Sequence, residues 1–177
     1  MAGLPRISEV GHASEQFYLV ALGSNQRHHR YGAPRQVVER AIARIDDKIG
    51  EVVIRSRLIE TAPVGPSQRR YVNGALVLAC AMKPAKLLRK LQKIERKFGR
   101  VRRGQRWRSR PLDLDIVLWS GGIFARPDLA IPHPLFRERG FVLGPAAEIA
   151  GDWCDPVTGL TLRQLHGRLT RRRPLPR

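Results

Sequence analysis

The stretch Arg106–Trp119, RWRSRPLDLDIVLW, sets arginines and a proline ahead of two aspartates that lie in a run of β-formers. An extended strand sends successive side chains to opposite faces, so Asp113 and Asp115 leave one face while Leu112, Leu114 and Ile116 leave the other. Two residues of rise set the two Cα atoms roughly 6.5 Å apart. Like charges at that separation repel by about 2 to 3 kcal/mol in a medium of effective dielectric about 20. Such a pair persists cheaply only beside cations. Mg2+ suits it, because that ion takes one or two carboxylates and completes its shell with waters and substrate phosphates. The guanidinium groups nearby present forks of donors that match phosphate oxygens. The pattern therefore points to Mg-nucleotide chemistry. The plainer alternative is a wet strand face salt-bridged to its arginines; Arg110 and Pro111 directly before the pair weigh against it.

Outward from this strand the signals order themselves. Residues 1–16 show no period and read as a flexible N-terminal extension. Phe17–Leu22 is a short apolar run stopped by Gly23, Ser24 and Asn25, which predicts a buried first strand. A polar loop follows, in which His28 and His29 read as solvated rather than as metal ligands. Pro34 then opens a helix carrying Val37, Val38, Ala41, Ile42 and Ile45 at helical spacing as far as Gly50. Glu51–Glu60 reads as a strand, TAPVGPSQRR (61–70) as a loop, and Tyr71–Met82 as a strand that pairs back in a long-looped hairpin. Pro84 opens a second helix with Leu87, Leu88, Leu91, Ile94 and Phe98 in one stripe, and Gly99 closes it. The order strand, helix, strand, strand, helix, strand predicts an α+β fold. Its core is the ferredoxin-like βαββαβ arrangement, an antiparallel sheet with helices packed on one face. A C-terminal extension is expected to add short strands near 123–124 and 129–131, a helix within Phe141–Ile149 and a last helix near Leu162–Leu169. Residues 17–170 form one domain in this reading, and 171–177 a basic mobile tail.

Composition narrows the class. A hydrophobic fraction of 42% with 27% charged residues fits a globular chain rather than a disordered one. No apolar run is long enough to span a bilayer and the first residues lack a signal-peptide core, so a cytoplasmic location is expected. Cys80 and Cys154 lie far apart in no metal-ligand spacing and read as buried thiols, while the histidines form no zinc pattern. The common phosphate-binding glycine loops are missing from the sequence. The net charge of +18 is the outlier. It means attraction to polyanions, whether nucleic acid or substrate phosphates, or else a solvated basic surface.

The segment Arg110, Pro111, Leu112, Asp113, Leu114, Asp115, Ile116, Val117 resembles the signature of the 6-hydroxymethyl-7,8-dihydropterin pyrophosphokinase family. So do ALGSN (21–25), TAPVGP (61–66), YVNGAL (71–76), IERKFGRVR (94–102), IPH (131–133) and RGF (139–141), in the family's order. The resemblance implies the same ferredoxin-like core. It also implies a transferase, a pyrophosphokinase of folate biosynthesis, that moves pyrophosphate from ATP to the hydroxymethyl oxygen of the reduced pterin and releases AMP. Two Mg2+ ions would be held by Asp113 and Asp115, and the substrates would be the partners of a monomer with no membrane role and no expected nucleic acid.

By resemblance Arg100 and Arg110 contact phosphates, and with Asp113 and Asp115 they make up the catalytic set. Trp107, with Arg110, seals the site. Tyr71 and Phe141 stack on the pterin, Asn73 and Thr61 read its polar edge, and backbone groups at Pro63 and Val64 complete that edge. Gln92, Glu95, Arg102, Ile116, His133 and Arg139 line the ATP pocket with Arg100, Trp107 and Arg110. His133 after Pro132 is positioned to donate to a phosphate. The chain departs from the family pattern at Arg108, where a small residue is usual, and at Asp128 and Pro134. The other function class open to the sequence is a basic protein on the same fold that binds nucleotide or nucleic acid without turnover. Asp113, Asp115, Asn73 and Arg110 standing together argue for the enzyme.

Overall fold

The computed structural model describes residues 15–62, 69–99 and 111–171. Four antiparallel strands carry the architecture. β1 (Gln16–Ser24) lies between β4 (Tyr71–Cys80) and β5 (Asp113–Trp119), and β2 (Glu51–Arg55) flanks β4 on its far side. A short β3 (Ile59–Thr61) continues along the same edge of β4. Two helices, α1 (Pro34–Lys48) and α2 (Pro84–Lys97), make the crossovers. Order and connections are those of the ferredoxin-like βαββαβ core expected from the sequence.

The core helices α1 and α2 share one face of the sheet, as expected, and the helices of the C-terminal extension cover the other. Tyr18, Val20 and Leu22 of β1 pack with Leu76 and Leu78 against the apolar sides of α1 and α2. Leu19, Ala21, Ala75 and Val77 point the other way and pack under α3 (Gly140–Ala150) and α4 (Leu162–Thr170). The sheet is therefore covered on both faces. The reason is legible in β1 and β4, whose near-continuous apolar runs suit strands with no wet side. The C-terminal extension also contributes the hairpin β6 (Phe124–Arg126) with β7 (Leu129–Ile131), and a 3-10 turn at Phe136–Glu138.

Other local differences have local causes. The strand expected over 51–60 breaks in two, with a register shift between Val52 and Ile54. At the break the Ser56 hydroxyl oxygen accepts from the Ala75 N–H at 2.9 Å, a side chain standing in for the ladder. Thr61, expected in the loop, ends β3, and Gln16, expected in the extension, begins β1. Cys154 is exposed, whereas Cys80 is buried as expected. His28 is not solvated: its ring stacks on Tyr31 at 4.6 Å, and Tyr31 stacks on Phe98 at 4.5 Å. That stack ties the polar loop to the end of α2, where Gly99 takes φ +81° as the left-handed stop. Gly50 is needed for close approach, since a Cβ there would lie 2.3 Å from the Ala79 carbonyl oxygen.

Candidate active site

The alternation expected for β5 holds at its start. Leu112, Leu114 and Ile116 are buried in the cluster with α1 and α2, each worth about 1.5 to 3 kcal/mol of burial. Asp113 and Asp115 leave the other face and remain partly exposed. A bulge opposite Leu19 and Val20 then turns both Val117 and Leu118 to the α3 side. The two carboxylates thus share the sheet face covered by α3, at the end of the strand.

Register brings the other polar residues to the same place. Gly23 pairs with Asn73 on one side and with Asp113 on the other, so three neighbouring strands present Asn73, Gly23 and Asp113 in a row. Ala21 sets Asp115 one step further along. Thr61 pairs with Tyr71, two residues from Asn73 on that same face. Asn73 is buried, and its side-chain N–H donates to the Thr61 hydroxyl at 2.7 Å. That bond turns the Asn73 carbonyl oxygen toward Gly23, where an added Cβ would come within 3.1 Å of it. Gly23 therefore keeps the floor open between the amide and the carboxylates. Ser24 fixes the next step: its hydroxyl donates to the Pro111 carbonyl at 2.6 Å and ties the end of β1 to the entry of β5. Neither residue was assigned a role from the sequence, although both lie in the ALGSN segment; the register that gives them one is a property of the folded sheet.

β5 is an edge strand, so its outer backbone groups need partners. Glu95, buried on α2, accepts from the Leu114 N–H at 2.9 Å. The His133 N–H donates to the Val117 carbonyl at 3.0 Å. Glu95, expected to line the nucleotide pocket, thus acts on the strand that carries both aspartates, and Ile116 lies in the core. The sequence showed Glu95 only as part of IERKFGRVR.

His133 is partly buried after β7. Its Nδ1 accepts from the Leu135 N–H at 3.2 Å, so the neutral ring carries its proton on Nε2. Burial pushes the imidazole below its usual range; the Asp115 charge pulls it up and Arg139 pushes it down again. The Arg139 guanidinium stands 5.9 Å from the centre of the Phe141 ring, which packs beside the α3 cluster. Downstream, Asp155 is wholly buried and accepts from Arg137 at 2.7 and 2.8 Å and from Thr158 at 2.6 Å. This clamp holds the 3-10 turn between His133 and Phe141.

The fold therefore gathers Thr61, Tyr71, Asn73, Asp113 and Asp115 on one sheet face, with the His133 backbone bonded to Val117, two residues along β5 from Asp115. Gln92 is partly exposed on α2. Pro63, Val64, Arg100, Arg102, Trp107, Arg108 and Arg110 lie outside the described residues. Two carboxylates on one partly exposed face are a donor set that fits Mg2+, an ion that completes its shell with water and phosphate.

The sequence matches the profile described as 7,8-dihydro-6-hydroxymethylpterin-pyrophosphokinase over residues 19–151. Relatives named 2-amino-4-hydroxy-6-hydroxymethyldihydropteridine pyrophosphokinase include that of Haemophilus influenzae, 38% identical over 77% of this chain and 83% of its own length. The Pseudomonas aeruginosa protein is 40% identical over 75% and 80%. The Synechocystis protein is 46% identical over 57% of this chain, and the match spans about half, 51%, of its length. Among solved structures, a Plasmodium falciparum HPPK-DHPS wild-type chain superposes with TM-score 0.70 at 13% identity, over 87% of this chain and 44% of that one. At that identity the likeness speaks for the fold, and the sequence matches speak for kinship. This chain belongs to the 7,8-dihydro-6-hydroxymethylpterin-pyrophosphokinase family.

Proposed function

We propose that this chain transfers pyrophosphate from ATP to the hydroxymethyl group of 6-hydroxymethyl-7,8-dihydropterin, releasing AMP, as a cytoplasmic monomer in folate biosynthesis. The observation that carries the reading is the cross-strand row Asn73, Gly23, Asp113, with Asp115 beside it. A flat ring with an amide-like edge needs a fixed donor and acceptor, and a triphosphate needs charge neutralised a short distance away. The row supplies the donor and acceptor directly, and its two carboxylates would hold the cations that neutralise the phosphates, all on one rigid floor.

In the reaction the substrate hydroxyl oxygen bonds to the β-phosphorus, the bond from that phosphorus to the bridging oxygen of the α-phosphate breaks, and the hydroxyl proton passes to solvent. The transition state is loose, so the protein positions and neutralises rather than attacks. Asn73 offers its carbonyl oxygen and its second N–H to the pterin edge, with Thr61 holding the amide plane. Tyr71 and Phe141 are the aromatic faces for the ring. Neutral His133, its proton held on Nε2, donates to a phosphate oxygen, and Arg139 adds charge behind it. Asp113 and Asp115 would hold two Mg2+ ions, which supply neutralisation of phosphate charge when bound. Arg100, Arg102, Arg110 and Trp107 complete the phosphate contacts and Gln92 the nucleotide pocket; Pro63 and Val64 complete the pterin edge.

The test is AMP formation from ATP with and without the hydroxymethyl dihydropterin. Release that depends on the pterin and on Mg2+ is the expected result. AMP release indifferent to the pterin would overturn the substrate, and tight nucleotide binding without any turnover would favour the non-catalytic alternative.

A further inference from the structure

The chain contains six lysines, and five of them, Lys83, Lys86, Lys90, Lys93 and Lys97, fall on α2 and its cap; the sixth is Lys48. The lysines are thus confined almost entirely to one helix, whereas the far more numerous arginines occur along the whole chain. On the helix, Lys86, Lys90, Lys93 and Lys97 follow each other at spacings of four, three and four residues. At 100° per residue they fall within an arc of about 60° and along about 16 Å of axis. Arg89 and Arg96 flank the stripe, and all seven cations including Lys83 are exposed. The acid of this helix, Glu95, is buried on the flank turned toward β5. Among the described residues none of the seven takes part in an ion pair. Cations at these spacings repel one another along a helix, so the stripe costs stability that no ion pair among the described residues offsets.

The stripe is not part of the candidate active site. α2 covers the sheet face opposite the one that carries Asn73, Asp113 and Asp115, and its lysines point away from the flank that holds Gln92 and Glu95. Its length exceeds what one triphosphate can cover, and it follows a convex surface rather than a pocket. Lysine is depleted from protein–protein interfaces. As a compact point charge without a preferred plane, it suits a regularly charged polymer that need not be read in detail.

We propose that the outer face of α2 is a sequence-independent docking surface for the phosphate backbone of a nucleic acid. The strand's phosphates lie along the lysine stripe, counterions leave, and the bases are not read. The proposal does not depend on the pyrophosphokinase reading.

Fluorescence anisotropy of a labelled single-stranded 20-mer RNA, titrated with the full chain at several salt concentrations, tests it. The quadruple variant Lys86→Gln, Lys90→Gln, Lys93→Gln, Lys97→Gln is compared with a charge-matched control, Arg40→Gln, Arg55→Gln, Arg126→Gln, Arg168→Gln. These eight side chains are exposed, so both variants are expected to fold, and equal thermal midpoints check it. The lysine variant is expected to bind at least about tenfold more weakly at low salt. Its slope of log affinity against log salt should be shallower by about 3, at 0.7 to 0.9 per phosphate contact. The control should lose much less, and pterin-dependent AMP release should be unchanged in the lysine variant. Equal losses in both variants would show that net charge alone binds the RNA and would overturn the proposal, as would an unchanged lysine variant. Displacement of the RNA by polyglutamate as readily as by polyphosphate would overturn it in favour of an acidic protein surface. A lysine variant that loses AMP release along with RNA binding would overturn it in favour of substrate capture.

Discussion

Replacing Gly23 with alanine places one methyl group on the floor between the amide and the carboxylates. The new carbon lies 3.1 Å from the Asn73 carbonyl oxygen and 4.0 Å from the Asp113 Cβ, so Asn73 must yield by a few tenths of an ångström while Asp113 is barely touched. Asn73 is held by its 2.7 Å hydrogen bond to Thr61, and turning away strains or breaks a bond worth about 0.5 to 1.5 kcal/mol. Against this, Gly23 has no positive φ, so alanine fits the backbone and recovers about 0.4 to 1 kcal/mol through the unfolded chain. The two terms nearly cancel in stability, and the expected change in Tm is small. They do not cancel in binding, because the displaced amide is the proposed reader of the pterin edge. Loss of about 1.4 kcal/mol there is a tenfold weaker Kd for the pterin. Isothermal titration with pterin and with nucleotide, beside a thermal melt, separates the two effects. Unchanged pterin affinity would refute the argument that this floor must stay open, and equal losses for both ligands would show a general distortion of the sheet.

Asp113→Ala and Asp115→Ala should each remove Mg2+-supported turnover while leaving the fold intact, since each relieves a like-charge repulsion; near-normal rates at saturating Mg2+ would speak against the metal assignment. Glu95→Ala leaves the Leu114 N–H without its buried acceptor and should cost about 1 to 3 kcal/mol in chemical denaturation, whereas Glu95→Gln, which keeps an oxygen there, should cost less. For Asp155, burial favours the neutral acid, but the hydrogen bonds from Arg137, Thr158 and the Val157 N–H, with the Arg137 charge, outweigh it and hold the carboxyl below its usual range. Its stabilisation is therefore full above the unfolded value near 4 and drains away as pH falls through the lower folded value. Asp155→Asn should lower Tm at neutral pH, and the gap from the unsubstituted chain should narrow in melts taken toward pH 3.

The sequence by itself determined the element order, because β1 and the apolar sides of α1 and α2 are written in local periodicity, in the helix starts at Pro34 and Pro84 and in the stop at Gly99. It also determined that Asp113 and Asp115 are neighbours, since alternation along a strand is a property of the backbone alone. The second helical layer was legible in principle from the two-sided burial of β1 and β4, yet nothing local names the segment that supplies it. Pairing across strands was not written in any stretch: that Gly23 lies between Asn73 and Asp113 follows from register, which depends on residues some fifty to ninety positions apart in the chain meeting in one sheet. The same holds for Glu95, a family-matched position whose carboxylate bonds the outer edge of β5, and for His28, which is buried within a largely exposed loop because it stacks on Tyr31 and Tyr31 on Phe98. Local chemistry sets what each residue can do, and only the tertiary contacts decide which of those capacities meet.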